Sequence, residues 1–121
     1  CAPSNYFYKD CKIGSGTIVF SNSQLGHTSI IGENVLISFG VDVGHNVIIG
    51  NFCSILPLAT IGGYVKIGNE TTVSAGVNIM PKVIIGENCV IGIGSIIMKN
   101  ISKNLSVISG SKNIILNRKN F

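Results

Sequence analysis

"VDVGHNVIIGNFC", residues 41–53, sets Val43 and Ile49 six residues apart. Val41, Val47 and Cys53 repeat at the same interval. Apolar residues six apart fall on different faces of an α-helix, so the period has no helical reading. Followed outward in both directions, it does not slip. Stepping by six from Ile13 to Ile97 meets only Ile, Val or Leu, and stepping by six from Thr17 to Ile101 meets only small or β-branched residues. The middle of each hexad is turn chemistry. Its fourth position carries Gly16, Asn34, Gly40, Asn46, Gly76 and Asn88, residues that tolerate positive φ. Its third carries Pro57 and Pro81, and proline is favoured just before such a residue. Each hexad therefore reads as a short strand and a turn, with its first residue pointing inward as a large plug and its fifth as a small filler.

The pattern resembles the hexapeptide repeat of left-handed parallel β-helices, in which three hexads make one triangular coil. The resemblance implies an all-β prism of about five coils. A second period in the sequence agrees with three hexads per coil: Gly14, Gly32, Gly50, Gly68 and Gly86 recur every eighteen residues, whereas Phe20, Ser38, Leu56 and Ser74, at the same place in another hexad, contain no glycine. Residues eighteen apart should stack in columns about 4.8 Å apart, the ordinary strand spacing. The expected organisation is a lead-in or cap over 1–12, the β-helix over 13–102, and a C-terminal cap and tail over 103–121, because an uncovered coil end leaves backbone groups unpaired.

At 121 residues the length suits one domain. Charged residues make up 12%, about half the usual share, and no apolar run is long enough for a membrane-spanning helix. The opening "CAPSNYFYKD" has neither a basic region nor an apolar core, so no secretory signal is read, and the missing initiator Met is consistent with a piece of a longer protein. The net charge is +4, with much of the basic surplus late, at Lys99, Lys103, Lys112, Arg118 and Lys119. A nucleic-acid binder pairs such residues with a stacking platform, and the aromatics here are few and scattered, so neither nucleic acid nor membrane is an expected partner. Cys1, Cys11, Cys53 and Cys89 lack CxxC or zinc spacing and read as ordinary thiols of a reducing, cytoplasmic compartment.

Only two histidines occur, His27 and His45, eighteen apart at the outward third position of one corner, with Gly63 next in the column. His27 is expected to be a solvated turn residue. For His45 the flanking sequence decides otherwise. The run from Gly44 to Ile101 resembles the acetyltransferases that modify sialic acids and bacterial amino sugars, whose signature is met here at His45, Ile49-Gly50, Phe52, Pro57, Gly63, Val65 and Ile67-Gly68. The resemblance covers about residues 12–110 and implies acetyl transfer from acetyl-CoA to an amine or hydroxyl of a sugar, with His45 as general base and no metal. It implies a homotrimer with sites between neighbouring prisms, and apolar residues such as Val19-Phe20, Ile48 and Ile84 are expected to need cover. By motif position, Ser54, Gly63, Ala75 and Ile93 would line the acetyl-CoA groove, Ala75 and Ile93 forming one column with Pro57. Gly63 would leave space above His45 for the thioester, backbone N–H groups at the corners would stabilise the oxyanion, and Lys99, Lys103 and Lys112 would meet the phosphates of CoA.

Three departures stand out. The carboxylate that follows the family histidine is Asn46, which can orient an imidazole but stabilises its cation less well. The family's second histidine is Ser54. The N-terminal nucleotide-sugar domain usual in these enzymes is not in this chain. The first two also suit a trimeric β-helix scaffold whose catalytic apparatus has decayed. The γ-type carbonic anhydrases share the fold but use three histidines per zinc, and this chain has two on one corner. Maltose- and chloramphenicol-type relatives interrupt their hexads with a long loop, which is missing between residues 13 and 102.

Overall fold

A computed structural model describes residues 6–7, 10–108 and 114–117. They form a left-handed parallel β-helix with three sheets. Sheet I stacks β1 (Tyr6–Phe7), β4 (Gln24–Leu25), β7 (Asp42–Val43), β10 (Thr60–Ile61), β13 (Asn78–Ile79) and β16 (Ile96–Ile97). Sheet II stacks β2 (Lys12–Ile13), β5 (Ile30–Ile31), β8 (Ile48–Ile49), β11 (Lys66–Ile67) and β14 (Ile84–Ile85). Sheet III stacks β3 (Ile18–Val19), β6 (Leu36–Ile37), β9 (Ser54–Ile55), β12 (Thr72–Val73), β15 (Val90–Ile91) and β17 (Leu105–Ile108), and β18 (Ile114–Asn117) closes it antiparallel to β17. Partners such as Ser54 and Thr72, or Ile61 and Ile79, are eighteen residues apart, so the sequence period is the coil.

The second residue of each strand is the hexad's inward plug. From Val19 to Ile97 these plugs are buried, whereas Ile13, on the first coil, is 36% exposed. Val19 is thus a core residue at 4% exposure and needs no outside cover, while Phe20, Ile48 and Ile84 are exposed as expected. The fillers from Ser23 onward are buried too, and the polar ones have a task. Ser23, Ser29 and Thr71 donate their hydroxyls to the carbonyls of Ser38, Gly44 and Gly86 at 2.7–2.8 Å, and Cys53 donates its thiol to Gly68 O at 3.0 Å. Burial pushes the Cys53 thiol above its ordinary pKa, which keeps it neutral. Thr71 Oγ1 also accepts the Cys89 N–H at 3.2 Å. Thr71→Val keeps the shape but strands both backbone groups, and chemical denaturation is expected to report a loss of about 1–3 kcal/mol.

The turn is more uniform than its residues. All the fourth positions from Gly16 to Gly94 have positive φ, including Thr28, Phe52, Leu58, Tyr64, Glu70 and Lys82, which tolerate it poorly alone. The coil imposes it: from Asn34 to Gly94 each of these residues donates its N–H to the third-position carbonyl of the coil below. The period breaks after Ile97. Asn100 is not left-handed, its Oδ1 accepts the Ile84 N–H at 2.8 Å, and Ile101 pairs with Ile85, sixteen residues back. Ile101 therefore lies over a plug rather than at a filler position. Stacking reaches beyond the hexad run at both ends, through Tyr6–Phe7 on sheet I and Leu105–Ile108 on sheet III.

Candidate active site

The corner between sheets I and II carries the column His27, His45, Gly63 and Pro81. Its backbone is tied coil to coil: Asn46 N–H donates to His27 O at 2.9 Å, Tyr64 N–H to His45 O at 3.0 Å, and Lys82 N–H to Gly63 O at 2.9 Å. A coil rise of about 4.8 Å brings flat rings of one column into contact. The imidazoles of His27 and His45 stack at 5.3 Å between centroids and 10° between planes. The Tyr64 ring meets His45 edge-on at 5.1 Å and 88°. Both histidines are exposed, as is Tyr64.

His45 Nδ1 lies 3.0 Å from Asn46 Oδ1. An amide oxygen only accepts, so this bond requires the proton on Nδ1 and leaves the lone pair on Nε2. Asn46 thus orients the imidazole, from the half-buried, left-handed corner position that Asn tolerates well. The Nε2 end of the ring lies against Gly63, where an added Cβ would be 2.9 Å from Nε2 and 3.0 Å from Cε1. The open space expected above His45 is therefore filled by the imidazole itself. Gly63 is needed so that the ring can stand there.

The other expected residues lie elsewhere on the prism. Ser54 is half-buried in sheet III, the face opposite the histidine corner. Ala75 and Ile93 occupy the corner between sheets III and I in one column with Pro57, joined by Gly76 N–H to Pro57 O and Gly94 N–H to Ala75 O, both at 3.0 Å. Beside them Gly76 and Gly94 face open space, an added Cβ meeting nothing within 4 Å. At those two positions the edge of the corner is bare backbone. Lys99 is exposed just past β16, where the hexad period has broken, Lys103 is exposed at the II–III corner, and Lys112 lies outside the described residues. Within one prism, His45, Asn46 and Gly63 come together, while Ser54, Ala75 and Ile93 do not join them. The corner amides expected as oxyanion donors are largely committed, since the fourth-position N–H groups hold the coils together.

Sequence reasoning overlooked the surroundings of His45. The eighteen-residue spacing of the histidines and the coil rise together contain the ring stack, and Tyr64, one corner residue further on, follows from the same arithmetic. The Asp10 carboxylate lies eighteen residues before Thr28, in the lead-in ahead of the hexad run. It accepts the Thr28 N–H at 2.9 Å and the Thr28 hydroxyl at 2.8 Å. Those two bonds, the backbone one first, hold the fully exposed carboxyl below its ordinary pKa.

A sequence model of the bacterial transferase hexapeptide family (six repeats) matches residues 28–63. No curated protein matches the chain by sequence. Among solved structures, PerB from Caulobacter crescentus, in complex with CoA and GDP-perosamine, is 24% identical with a TM-score of 0.90, over 94% of this chain and 55% of that one. The acetyltransferase domain of PglB from Neisseria gonorrhoeae, in complex with acetyl coenzyme A, is 23% identical with a TM-score of 0.90, over 94% and 55%. WeeI from Acinetobacter baumannii is 22% identical with a TM-score of 0.89, over 95% and 56%. At these identities the likeness is one of fold, and the chain spans about half the length of each of these proteins.

Proposed function

We propose that this chain is the β-helix part of an acetyl-CoA-dependent acetyltransferase acting on an amine or hydroxyl of a sugar, with a nucleotide-linked amino sugar or a sialic acid as the acceptor class. The observation that carries the reading is the His45 imidazole, with Nδ1 engaged by Asn46, the lone pair left on Nε2, and its ring stacked at an outward corner. The fold shared with proteins solved with CoA and a nucleotide-linked amino sugar supports it.

The chemistry asked of His45 is modest. Its Nε2 takes the proton from the acceptor's N–H or O–H as the acceptor heteroatom bonds to the thioester carbonyl carbon. The same imidazolium then returns that proton to the sulfur as the C–S bond breaks, giving the acetylated sugar and free CoA thiol. The imidazole ends as it began. Asn46 keeps the tautomer through both transfers. A second prism, presenting Ser54 and the Pro57–Ala75–Ile93 corner to this histidine, completes the site, and the Ser54 hydroxyl is the proposed donor to the thioester oxygen. Lys99 and Lys103 lie toward the later coils and would meet phosphate.

Two measurements test this reading. Sedimentation is expected to give a homotrimer at micromolar concentration, and a monomer would leave the site incomplete. Release of CoA thiol from acetyl-CoA should depend on an added amino-sugar acceptor. Absence of transfer to any amino sugar or sialic acid by the assembled protein would favour a catalytically silent scaffold, the reading that Ser54 and Asn46 also admit.

A further inference from the structure

His45 is the middle ring of a stack whose lower part has no role in the chemistry just described. His27 lies one coil below, in parallel contact at 5.3 Å. Its Nδ1 is 3.2 Å from Thr28 Oγ1. Thr28 is β-branched yet sits at φ 60, a conformation such residues avoid. Asp10 holds it there with two hydrogen bonds, to the Thr28 N–H and to its hydroxyl. Because the hydroxyl proton goes to the carboxylate, the Thr28 oxygen is left as an acceptor for His27 Nδ1–H. The chain of contacts Asp10–Thr28–His27–His45 thus ends on the ring proposed as the base, and Gly63 limits that ring from above.

Resting on the reading of His45 as base, we infer that His27 is a positioning residue: its ring, anchored through Thr28 to Asp10, holds the His45 imidazole upright beneath Gly63. An exposed corner imidazole without such a support would sample several rotamers, and a misplacement of about 1 Å can cost about 10²-fold in rate. The stack also offers a π-face to the imidazolium that His45 becomes during transfer, within the roughly 6 Å over which a cation is attracted to a ring. The flat ring of His27 makes the contact with His45, and its Nδ1 bond to Thr28 fixes the tilt of that ring.

The test compares His27→Ala with His27→Phe in the assembled protein. His27→Ala is expected to lower kcat by about tenfold or more while KM for acetyl-CoA changes by less than about twofold, a split that misplacement of a base produces and loss of binding does not. His27→Phe keeps a flat ring under His45 and is expected to recover kcat to within about threefold. A second readout does not depend on turnover. The Cε1–H proton of His45, observed by NMR, should move in His27→Ala as the ring current from below is lost, with the Tyr64 contribution remaining, and should keep a ring current from below in His27→Phe. Unchanged kcat and an unchanged His45 signal in His27→Ala would overturn the inference, as would a Phe variant as slow as the Ala variant. If His45→Ala keeps full transfer, the base reading is what has failed. The NMR signal then decides the stack alone: movement in His27→Ala supports it, and no movement overturns it.

Discussion

His45→Ala is expected to lower turnover by about 10²- to 10⁴-fold, the usual contribution of a positioned proton acceptor. The prism should survive the change. His45 is an exposed corner side chain, and the core is built from the buried plugs and fillers. Its backbone carbonyl still accepts the Tyr64 N–H, so the coil stacking is untouched. Steady-state kinetics with acetyl-CoA and the best acceptor, beside circular dichroism and sedimentation of the same sample, would separate lost chemistry from lost structure. Full transfer by the variant would make His45 one more turn residue.

Gly63→Ala is expected to reduce kcat by about 10- to 100-fold with little effect on folding, because it displaces the base rather than removing it. Gly63 is not in the left-handed region, so alanine is compatible with its backbone. The added Cβ would lie 2.9 Å from His45 Nε2, a distance such atoms do not hold, and the exposed imidazole is what gives way. The same substitution at Gly68 would bring the Cβ to 2.5 Å from the Glu87 amide nitrogen, where only the coil spacing could yield, and should lower stability instead. Activity lost at 63 with an unchanged denaturation midpoint, against a lowered midpoint at 68, would distinguish a glycine that makes room for a ring from one that makes room for the next coil.

The fold was legible because a β-helix writes each contact as a fixed interval. Six residues give a face and eighteen give a coil, so the burial of Ile61 under Ile79 or the column Pro57–Ala75–Ile93 can be counted in the sequence. The left-handed corners were legible at Asn46 and Asn88 but not at Phe52, Leu58 or Tyr64, where stacking overrides residue preference. The phase of Ile101 was misjudged for a related reason. A two-residue shortening of the coil leaves the residue apolar in either register, and only the pairing with Ile85 tells a plug from a filler. At the site, His45 was marked by its neighbours in the chain, and the ring below it lies at the eighteen-residue interval, as Asp10 does from Thr28, but the hydrogen bonds of the Asp10 clasp depend on side-chain placement. The separation of His45 from Ser54, Ala75 and Ile93 within one prism follows from the geometry of a triangle, which puts a corner opposite a face. It is also the reason a second prism enters the proposal.

The most direct test is a structure of the assembled protein with acetyl-CoA bound. The account predicts the pantetheine arm running along the Pro57–Ala75–Ile93 corner of one protomer, with the thioester within reach of His45 Nε2 on its neighbour. Acetyl-CoA bound at saturating concentration with its thioester remote from any His45, or a prism that does not bind it at all, would contradict the assignment.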